Sequence, residues 1–354
     1  MDLGKLIKRE VLAQKAYAAE ITTCRIKLDA NENPYPLQPS LQEKLFARMK
    51  DMALNRYPDP GAPALRKRYG AVCGVDENWV MTGNGSDELI QVLCASLARP
   101  GAKLLIPTPT FVMYRIIGLN CGLDVMECPL DDAFDLDLPV MLDKIAAESP
   151  ALIFLSYPNS PTGNCFSEER IRAILEASPG LVVVDEAYCN FSGKTFLPQL
   201  KRFQNLVILR TLSKVGYAAL RIGFLLGAPA LLQELNKVRL PYNLNSLSQA
   251  AAGFFLDEEP AFLEQIDRVV EERKKLFAAL QNIDGIDPYP SVANFIFFSC
   301  ARNVNHVYEQ LLRKGILVKP FVFPWISQQF IRVTVGSREE NEAFIEALKR
   351  FVAE

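Results

Sequence analysis

Three stretches near the middle of the chain decide the fold: ALIFLSYPNSPTG (residues 151–163), LVVVDEAY (181–188) and NLVILRTLSK (205–214). Each opens with a nearly continuous apolar run and closes with polar residues. Such runs are typical of strands that are buried on both faces of a sheet. Their polar ends recur after about 25–30 residues, close to the length of one βαβ unit. This spacing predicts an α/β fold.

The flanking sequence extends the same pattern. WVMTG (79–83), KLLIP (103–107) and RIGFLLG (221–227) read as further strands, with helical segments between several of them. This alternation predicts a parallel or mixed sheet with helices on both sides. Residues 246–283 read as two helices that are broken at Glu259-Pro260. Strands NFIFFSC, ILVKP and FIRVTVG with two helices predict a compact α+β unit towards the C-terminus.

Composition excludes several classes of protein. Lys and Arg number 39 against 41 Asp and Glu, so the charge is nearly balanced. Nucleic-acid and membrane-surface proteins would need a basic excess, so these partners are disfavoured and any anion must be bound by local sites. The charged N-terminus has no signal-peptide core, and no apolar run approaches the ~18–20 residues of a membrane span. Eight scattered cysteines without a C-x-x-C pair predict reduced thiols in a cytoplasmic protein.

The single histidine limits the possible chemistry. His306 lies in a predicted helix whose buried stripe is Val304, Val307 and Leu311, and it points away from that stripe. We therefore interpret His306 as a surface residue. Serine–histidine–aspartate triads and histidine-rich metal sites are excluded, and no metal is predicted.

Polar residues at the strand ends are the candidate site, because ligands of open α/β sheets bind beyond the carboxyl ends of the strands. After the first strand, residues 83–88 (GNGSDE) start a helix and suit either a phosphate site or a simple turn with Ser86 as N-cap. Asn159 lies in a rigid proline-rich turn after the third strand. Asp185 ends an apolar strand, where a carboxylate needs a positive or N–H partner. A structural ion pair would explain it too.

Lys214 follows the strand NLVILR and is the candidate nucleophile. Partial burial of such a lysine favours the neutral amine, which can form a Schiff base. Thr211, Ser213 and Arg221 surround it in sequence, and together they suit a phosphate group. Most lysines in such positions are nevertheless solvated, so the motif alone decides little.

The ordered set PNSPTG, VVDEAY and S-K-x6-R resembles the fold-type I aminotransferases, which depend on pyridoxal 5'-phosphate. The resemblance implies a large domain (residues 33–250) with a mainly parallel seven-stranded sheet between helices, and a small domain (1–32 with 251–354). It implies that Lys214 binds the cofactor and moves the proton, and that Asp185 pairs with the ring nitrogen. Asn159 and Tyr188 would donate to the ring's phenolate oxygen.

The same resemblance implies the remaining cofactor contacts. Phe111 would stack on the ring, and Tyr57 would reach the phosphate of a neighbouring subunit, so that a homodimer shares its sites. The phosphate group would lie against Gly85, Ser86, Asp87, Thr211, Ser213 and Arg221.

Within this fold the chain resembles the histidinol-phosphate aminotransferases over nearly its whole length. The distinctive segments are KLDANENPYP, LNRYPDP, RTLSK, LNKVRLPYNLN, SVANFIFF and IRVTVGSREEN. That family exchanges an amino group between glutamate and imidazole-acetol phosphate, giving histidinol phosphate and 2-oxoglutarate, in histidine biosynthesis. The implied substrate residues are Tyr17, Asn31, Asn33 and Arg332. Strand periodicity independently places Arg332 on the face opposite Ile331 and Val333.

Some features depart from the family pattern and leave alternatives open. The asparagine usual before the second proline is Ser160, the usual glycine two residues before Arg221 is Ala219, and residues 321–327 (FVFPWIS) are unusually aromatic. A threonine-phosphate decarboxylase or a broad aromatic aminotransferase would use the same motifs. A cofactor-binding transcriptional regulator would need a DNA-binding domain that about 30 preceding residues cannot form. A nucleotide-binding protein is disfavoured because Walker and G-x-G-x-x-G motifs are absent.

Overall fold

The computed structural model describes residues 1–16 and 24–353. Within these residues thirteen strands follow one another along the chain: β1 (Ile26–Lys27), β2 (Val80–Asn84), β3 (Lys103–Thr108), β4 (Asp124–Pro129), β5 (Leu152–Ser156), β6 (Leu181–Asp185), β7 (Leu206–Thr211), β8 (Ile222–Leu226), β9 (Ile286–Pro288), β10 (Phe295–Cys300), β11 (Ile316–Leu317), β12 (Lys319–Val322) and β13 (Gln329–Thr334).

The same described residues form thirteen α-helices: α1 (Arg9–Leu12), α2 (Pro39–Met49), α3 (Pro63–Cys73), α4 (Gly85–Leu97), α5 (Val112–Cys121), α6 (Leu138–Glu148), α7 (Glu168–Ala177), α8 (Cys189–Ser192), α9 (Pro229–Leu235), α10 (Ser246–Asp257), α11 (Glu259–Gln281), α12 (Val304–Arg313) and α13 (Arg338–Ala353). The break between α10 and α11 confirms the two helices predicted around Glu259-Pro260. None of the helices in the described part of the chain is both long and apolar enough to cross a membrane.

Seven strands form the large sheet, in the order β2-β8-β7-β6-β5-β3-β4. Neighbours pair in parallel except β8, which runs antiparallel to both β2 and β7. Residues of the central strands alternate between two apolar cores: Val182 and Val184 face one core, and Val183 faces the other. All three side chains are fully buried. Helices therefore cover both faces, as the continuous apolar runs predicted.

A smaller antiparallel sheet has the order β12-β13-β10-β9. On β13, Ile331 and Val333 are fully buried in the same core as Phe344 and Leu348 of α13. Arg332 projects to the opposite side, as predicted. The N-terminal strand β1 pairs in parallel with β11, which ties the start of the chain to its last quarter.

Strand β4 has no counterpart among the predicted strands, because its mixed exposed and half-buried pattern at the edge of the large sheet lacks a continuous apolar run. Helix α2 begins at Pro39, whose fixed φ suits the first helical position. His306 is exposed on α12, as predicted.

Candidate active site

The carboxyl ends of β5, β6 and β7 and the start of α4 surround a cavity of about 240 Å³. Nine of the residues predicted from the motifs line it: Ser86, Asp87, Phe111, Asp185, Tyr188, Thr211, Ser213, Lys214 and Arg221. The structure adds Tyr114, Ser156 and Ser160 to the wall. The described residues contain no cluster of His, Cys, Asp and Glu that could hold a metal ion.

Lys214 lies in an irregular turn, Ser213–Tyr217, just after the end of β7. Its Nζ donates to the carbonyl oxygen of Ala30 at 3.1 Å and lies 5.9 Å from the centroid of the Tyr188 ring. The turn closes at Gly216, where φ is +111°, a backbone conformation that favours glycine. The amine is thus held at the cavity wall by one backbone carbonyl.

Asp185, the last residue of β6, is 4% exposed. Its Oδ2 accepts a hydrogen bond from the Tyr114 hydroxyl at 2.6 Å, and its Oδ1 accepts one from the Ala187 amide at 3.0 Å. Burial raises the pKa of the Asp185 carboxyl to about 6, although both hydrogen bonds pull it down. A protonated nitrogen in the cavity would stabilise the carboxylate there.

A second group of lining residues is suited to hold an anion. Ser86 is the second residue of α4, whose first amides lack helical partners. Arg221 donates to Ser213 Oγ at 3.4 Å and to Asp87 Oδ2 at 3.3 Å, and the hydroxyls of Thr211 and Ser213 lie 2.9 Å apart. Helix amides, hydroxyls and a guanidinium are together a typical phosphate-binding set.

Gly85 explains how these groups come so close. Its φ is +80°, and a Cβ added there would lie 2.5 Å from Nη2 of Arg221. Any side chain at this position would therefore displace the guanidinium. Gly85 contributes to the anion site through its lack of a side chain.

Asn159, a predicted donor to the cofactor, makes its hydrogen bonds within the protein in this structure. The side chain is fully buried and does not line the cavity. Its Nδ2 donates to the Pro109 carbonyl at 3.0 Å and to Thr162 Oγ1 at 2.8 Å, while its Oδ1 accepts from the Thr110 hydroxyl at 2.8 Å. Both amide hydrogens are thus used within the protein. The neighbouring Ser160 lines the cavity instead.

Arg332 reaches the cavity wall through Ser160. Its Nη1 donates to Ser160 Oγ at 3.0 Å and its Nη2 to the Asp29 carbonyl at 2.6 Å. The guanidinium carbon lies 5.3 Å from the Phe295 ring centroid and 5.7 Å from that of Phe321. Phe321 opens the aromatic segment 321–327, so this segment borders the candidate substrate clamp.

The two predicted substrate residues of the N-terminal segment that the structure describes contact other protein groups. Asn31 is 1% exposed and does not line the cavity; its Nδ2 donates to the Tyr188 hydroxyl oxygen at 2.9 Å. Asn33 donates to Gln265 Oε1 at 3.2 Å and accepts from the Tyr35 amide at 2.9 Å. Both asparagines bind protein groups rather than facing the space for a substrate. Tyr17 lies outside the described residues.

Tyr57 does not line the cavity either. Its side chain is 81% exposed and stacks on Tyr242 with ring centroids 4.6 Å apart. The Tyr57 ring is therefore accessible for contact with another chain. The motifs gave no sign of Tyr114, whose hydroxyl holds Asp185. Tyr114 lies in the first turn of α5, and its ring packs against that of Phe111, the residue before the helix, with centroids 5.4 Å apart.

Comparisons with known proteins agree with this architecture. The profile of the aminotransferase class I and II family matches residues 24–348. Histidinol-phosphate aminotransferase 2 of Nitrosococcus oceani is 45% identical over 350 residues, which cover 98% of this chain and 97% of the relative. Histidinol-phosphate aminotransferase of Chromobacterium violaceum is 43% identical over 354 residues, with 99% of each chain covered.

Among solved structures, histidinol-phosphate aminotransferase of Sinorhizobium meliloti in complex with pyridoxal-5'-phosphate superposes with a TM-score of 0.86 and 23% identity, covering 94% of this chain and 92% of the other. The likeness confirms the predicted fold of the fold-type I transferases, with its seven-stranded sheet. Because the profile spans most of the chain and the relatives align over nearly their full lengths, the chain belongs to the aminotransferase class I and II family.

Proposed function

We propose that this chain is a pyridoxal-phosphate-dependent transaminase that exchanges an amino group between L-histidinol phosphate and 2-oxoglutarate. One observation carries the proposal: the Lys214 amine, the buried Asp185 carboxylate and the residues suited to hold an anion line one space of about 240 Å³. The names of the relatives that are 43–45% identical support the choice of substrate.

The residues present fit the cofactor at both of its ends. Pyridoxal phosphate has a phosphate group, which suits the helix amides, hydroxyls and Arg221. It has a basic ring nitrogen, which suits the Asp185 carboxylate. The site is smaller than the ~300–1,000 Å³ of pockets for drug-sized ligands, which matches a cofactor with a single ring.

When bound, pyridoxal phosphate supplies an aldehyde carbon that condenses with amines and a cationic ring that withdraws electrons. Lys214 Nζ would hold the cofactor, and the same amine would serve as the base that accepts the proton of the substrate α-carbon. The Asp185 carboxylate would pair with the ring nitrogen and favour its protonated form. Tyr188 would supply a hydroxyl donor to the ring, and Phe111 would provide an aromatic surface for it.

Arg332 is the proposed clamp for the anionic group of the substrate. Its guanidinium contacts the wall residue Ser160 and lies within 6 Å of the ring centroids of Phe295 and Phe321. A guanidinium can bind a phosphate or a carboxylate through two parallel hydrogen bonds. The same residue therefore suits both amino donors, the phosphorylated amino alcohol and glutamate.

A second candidate activity is transamination of aromatic amino acids. Phe321 lies beside Arg332, and Phe323 stacks on Trp325 with centroids 5.5 Å apart. An aromatic side chain could pack against this segment while Arg332 holds its α-carboxylate. The contact between Arg332 and Phe321 is the observation that favours this activity.

The assembly and the division into domains belong to the same proposal. We propose a homodimer in which Tyr57 of each chain reaches the phosphate site of the other, supported by the exposure of Tyr57. The division into residues 33–250 and residues 1–32 with 251–354 is supported by the pairing of β1 with β11. The eight cysteines form no disulfide, which supports a place in the cytoplasm.

The decisive experiment is a single-turnover spectrum of the purified protein loaded with pyridoxal phosphate. We expect the visible band of the bound cofactor to disappear on addition of L-histidinol phosphate and to return with 2-oxoglutarate. L-phenylalanine and L-threonine phosphate are tested in parallel, with release of CO₂ monitored. A response to phenylalanine alone would favour the aromatic activity, and CO₂ from threonine phosphate a decarboxylase. A Lys214→Ala variant with an unchanged spectrum would refute the site.

Mixing two inactive variants tests the shared sites. A heterodimer of Lys214→Ala and Tyr57→Ala chains contains one site in which both residues are intact. If the sites are shared, an equal mixture should recover roughly a quarter of the wild-type activity after subunit exchange. If each chain forms its own site, the mixture stays as inactive as its components.

A further inference from the structure

We propose that Asn31 is a positioning residue: held by Thr334 of β13, it directs the hydroxyl hydrogen of Tyr188 into the cavity. The inference rests on the proposed function, because it concerns how Tyr188 meets the cofactor. The three residues involved, Asn31, Tyr188 and Thr334, come from distant parts of the sequence. Neither Asn31 nor Thr334 lines the cavity, so both act only through Tyr188.

The polarity of the hydrogen bonds can be followed from one end. The backbone amide of Asn31 can only donate, and it donates to Thr334 Oγ1 at 3.0 Å. The Thr334 hydroxyl has a single hydrogen, which it donates to Asn31 Oδ1 at 3.2 Å. In the structure the amide oxygen of Asn31 faces Thr334 and its Nδ2 faces Tyr188.

This orientation determines what the Tyr188 hydroxyl does. Asn31 Nδ2 donates to the Tyr188 oxygen at 2.9 Å, so the tyrosine accepts on that side. Its own hydrogen is then available in another direction, and the Tyr188 side chain lines the cavity. A phenol held in this way is a donor to the ligand before the ligand arrives.

The backbone around Asn31 is fixed as firmly as its side chain. The φ of Asn31 is +56°, a left-handed conformation that asparagine tolerates better than most residues. Its carbonyl oxygen accepts from Asn294 Nδ2 at 2.9 Å, and the Thr334 amide donates to the Leu28 carbonyl at 2.8 Å. Asn31 and Thr334 are 1% and 2% exposed, so water does not compete for these bonds.

The test uses variants that break or reverse the hydrogen bonds with little change in shape. Thr334→Val removes the hydroxyl, and Thr334→Ser keeps it. Asn31→Asp replaces the donor by an acceptor, which would draw the Tyr188 hydrogen away from the cavity. Thr82→Val serves as the control, because it removes a buried hydroxyl from β2 in the large sheet. Circular dichroism identifies any variant that does not fold.

The readout is the dissociation constant of pyridoxal phosphate, measured by absorbance titration of the cofactor-free proteins. We expect Thr334→Val and Asn31→Asp to raise it about five- to tenfold, the loss of one well-placed hydrogen bond. Thr334→Ser and Thr82→Val should stay close to wild type. In a Tyr188→Phe background, both effects should shrink to less than about twofold, because residues that act through one group are not additive.

The outcomes separate this inference from the proposed function. A wild-type protein that does not bind pyridoxal phosphate would overturn the proposed function. Tight binding by the wild type, with folded Thr334→Val and Asn31→Asp variants that bind equally well, would overturn only the role of Asn31. Weakened binding that persists undiminished in the Tyr188→Phe background would overturn it too, since the effect would then not pass through Tyr188.

Discussion

Replacing Asp185 by asparagine should stabilise the cofactor-free protein at alkaline pH, although it removes a functional residue. The folded protein raises the pKa of this carboxyl from 3.8 to about 6, chiefly through burial. Because the raised pKa favours the protonated form in the folded protein, the carboxyl contributes stability that is fully present below its unfolded pKa. This contribution to the free energy of unfolding is lost as the pH rises through about 6. The shift corresponds to about 3 kcal/mol, fully lost above about pH 7.

Asparagine carries no charge, so the variant avoids this penalty, but it loses a hydrogen bond. The carboxylate accepts from both Tyr114 and Ala187, whereas an amide has one acceptor oxygen. The loss costs about 1–1.5 kcal/mol. The net expectation at pH 8 is a gain of about 1.5 kcal/mol in the free energy of unfolding. At pH 5 the wild-type penalty is about half as large, so the two proteins should be about equally stable.

Urea denaturation of both cofactor-free proteins at pH 5, 6, 7 and 8 measures the difference. The other carboxylates titrate in both proteins, so their contributions to the free energy of unfolding cancel when the variant is compared with the wild type at each pH. Asp124→Asn, at an exposed position in β4, is the matched control and should show no such trend. A stability difference between Asp185→Asn and the wild type that is the same at pH 5 and pH 8 would refute the reasoning.

Three further predictions concern the anion site, the sheet and the substrate clamp. Gly85→Ala should weaken pyridoxal phosphate binding about tenfold in an absorbance titration, because its Cβ would displace Arg221; unchanged affinity would contradict the close approach. Glu186→Gln should lower the free energy of unfolding by about 3–5 kcal/mol, since it leaves the Arg210 guanidinium, now 2.7 Å from Oε2 of Glu186, buried without a counter-charge; a much smaller loss measured by calorimetry would contradict this prediction. Arg332→Lys should lower kcat/KM about ten- to hundredfold, because an ammonium cannot form the two parallel hydrogen bonds of a planar guanidinium. Steady-state kinetics that match the wild type would exclude Arg332 as the clamp for the substrate's anionic group.

The sequence allowed the large sheet and the strand-end residues to be predicted, because both depend on local patterns. Apolar runs that end in polar residues predicted Asp185 and Lys214 as site residues from the sequence alone. Whether Asn159 or Ser160 faces the cavity depends on the path of a turn, and neighbouring side chains in a turn point in different directions. The contact between Asn31 and Thr334 spans 303 residues of sequence, so no local pattern contains it.

The two apolar faces of the central strands have a consequence for how the sheet finds its register. A slip of β6 against β7 by one residue would still place apolar side chains on both sides, so hydrophobicity alone does not select the native pairing. The ion pair between Glu186 and Arg210 does select it, because a slip would shift these groups by about 3.3 Å and separate two buried charges. Its two members flank the ends of the strands that carry Asp185 and Thr211. The ion pair thus helps to keep the cofactor residues of the two strands aligned, directly beside them.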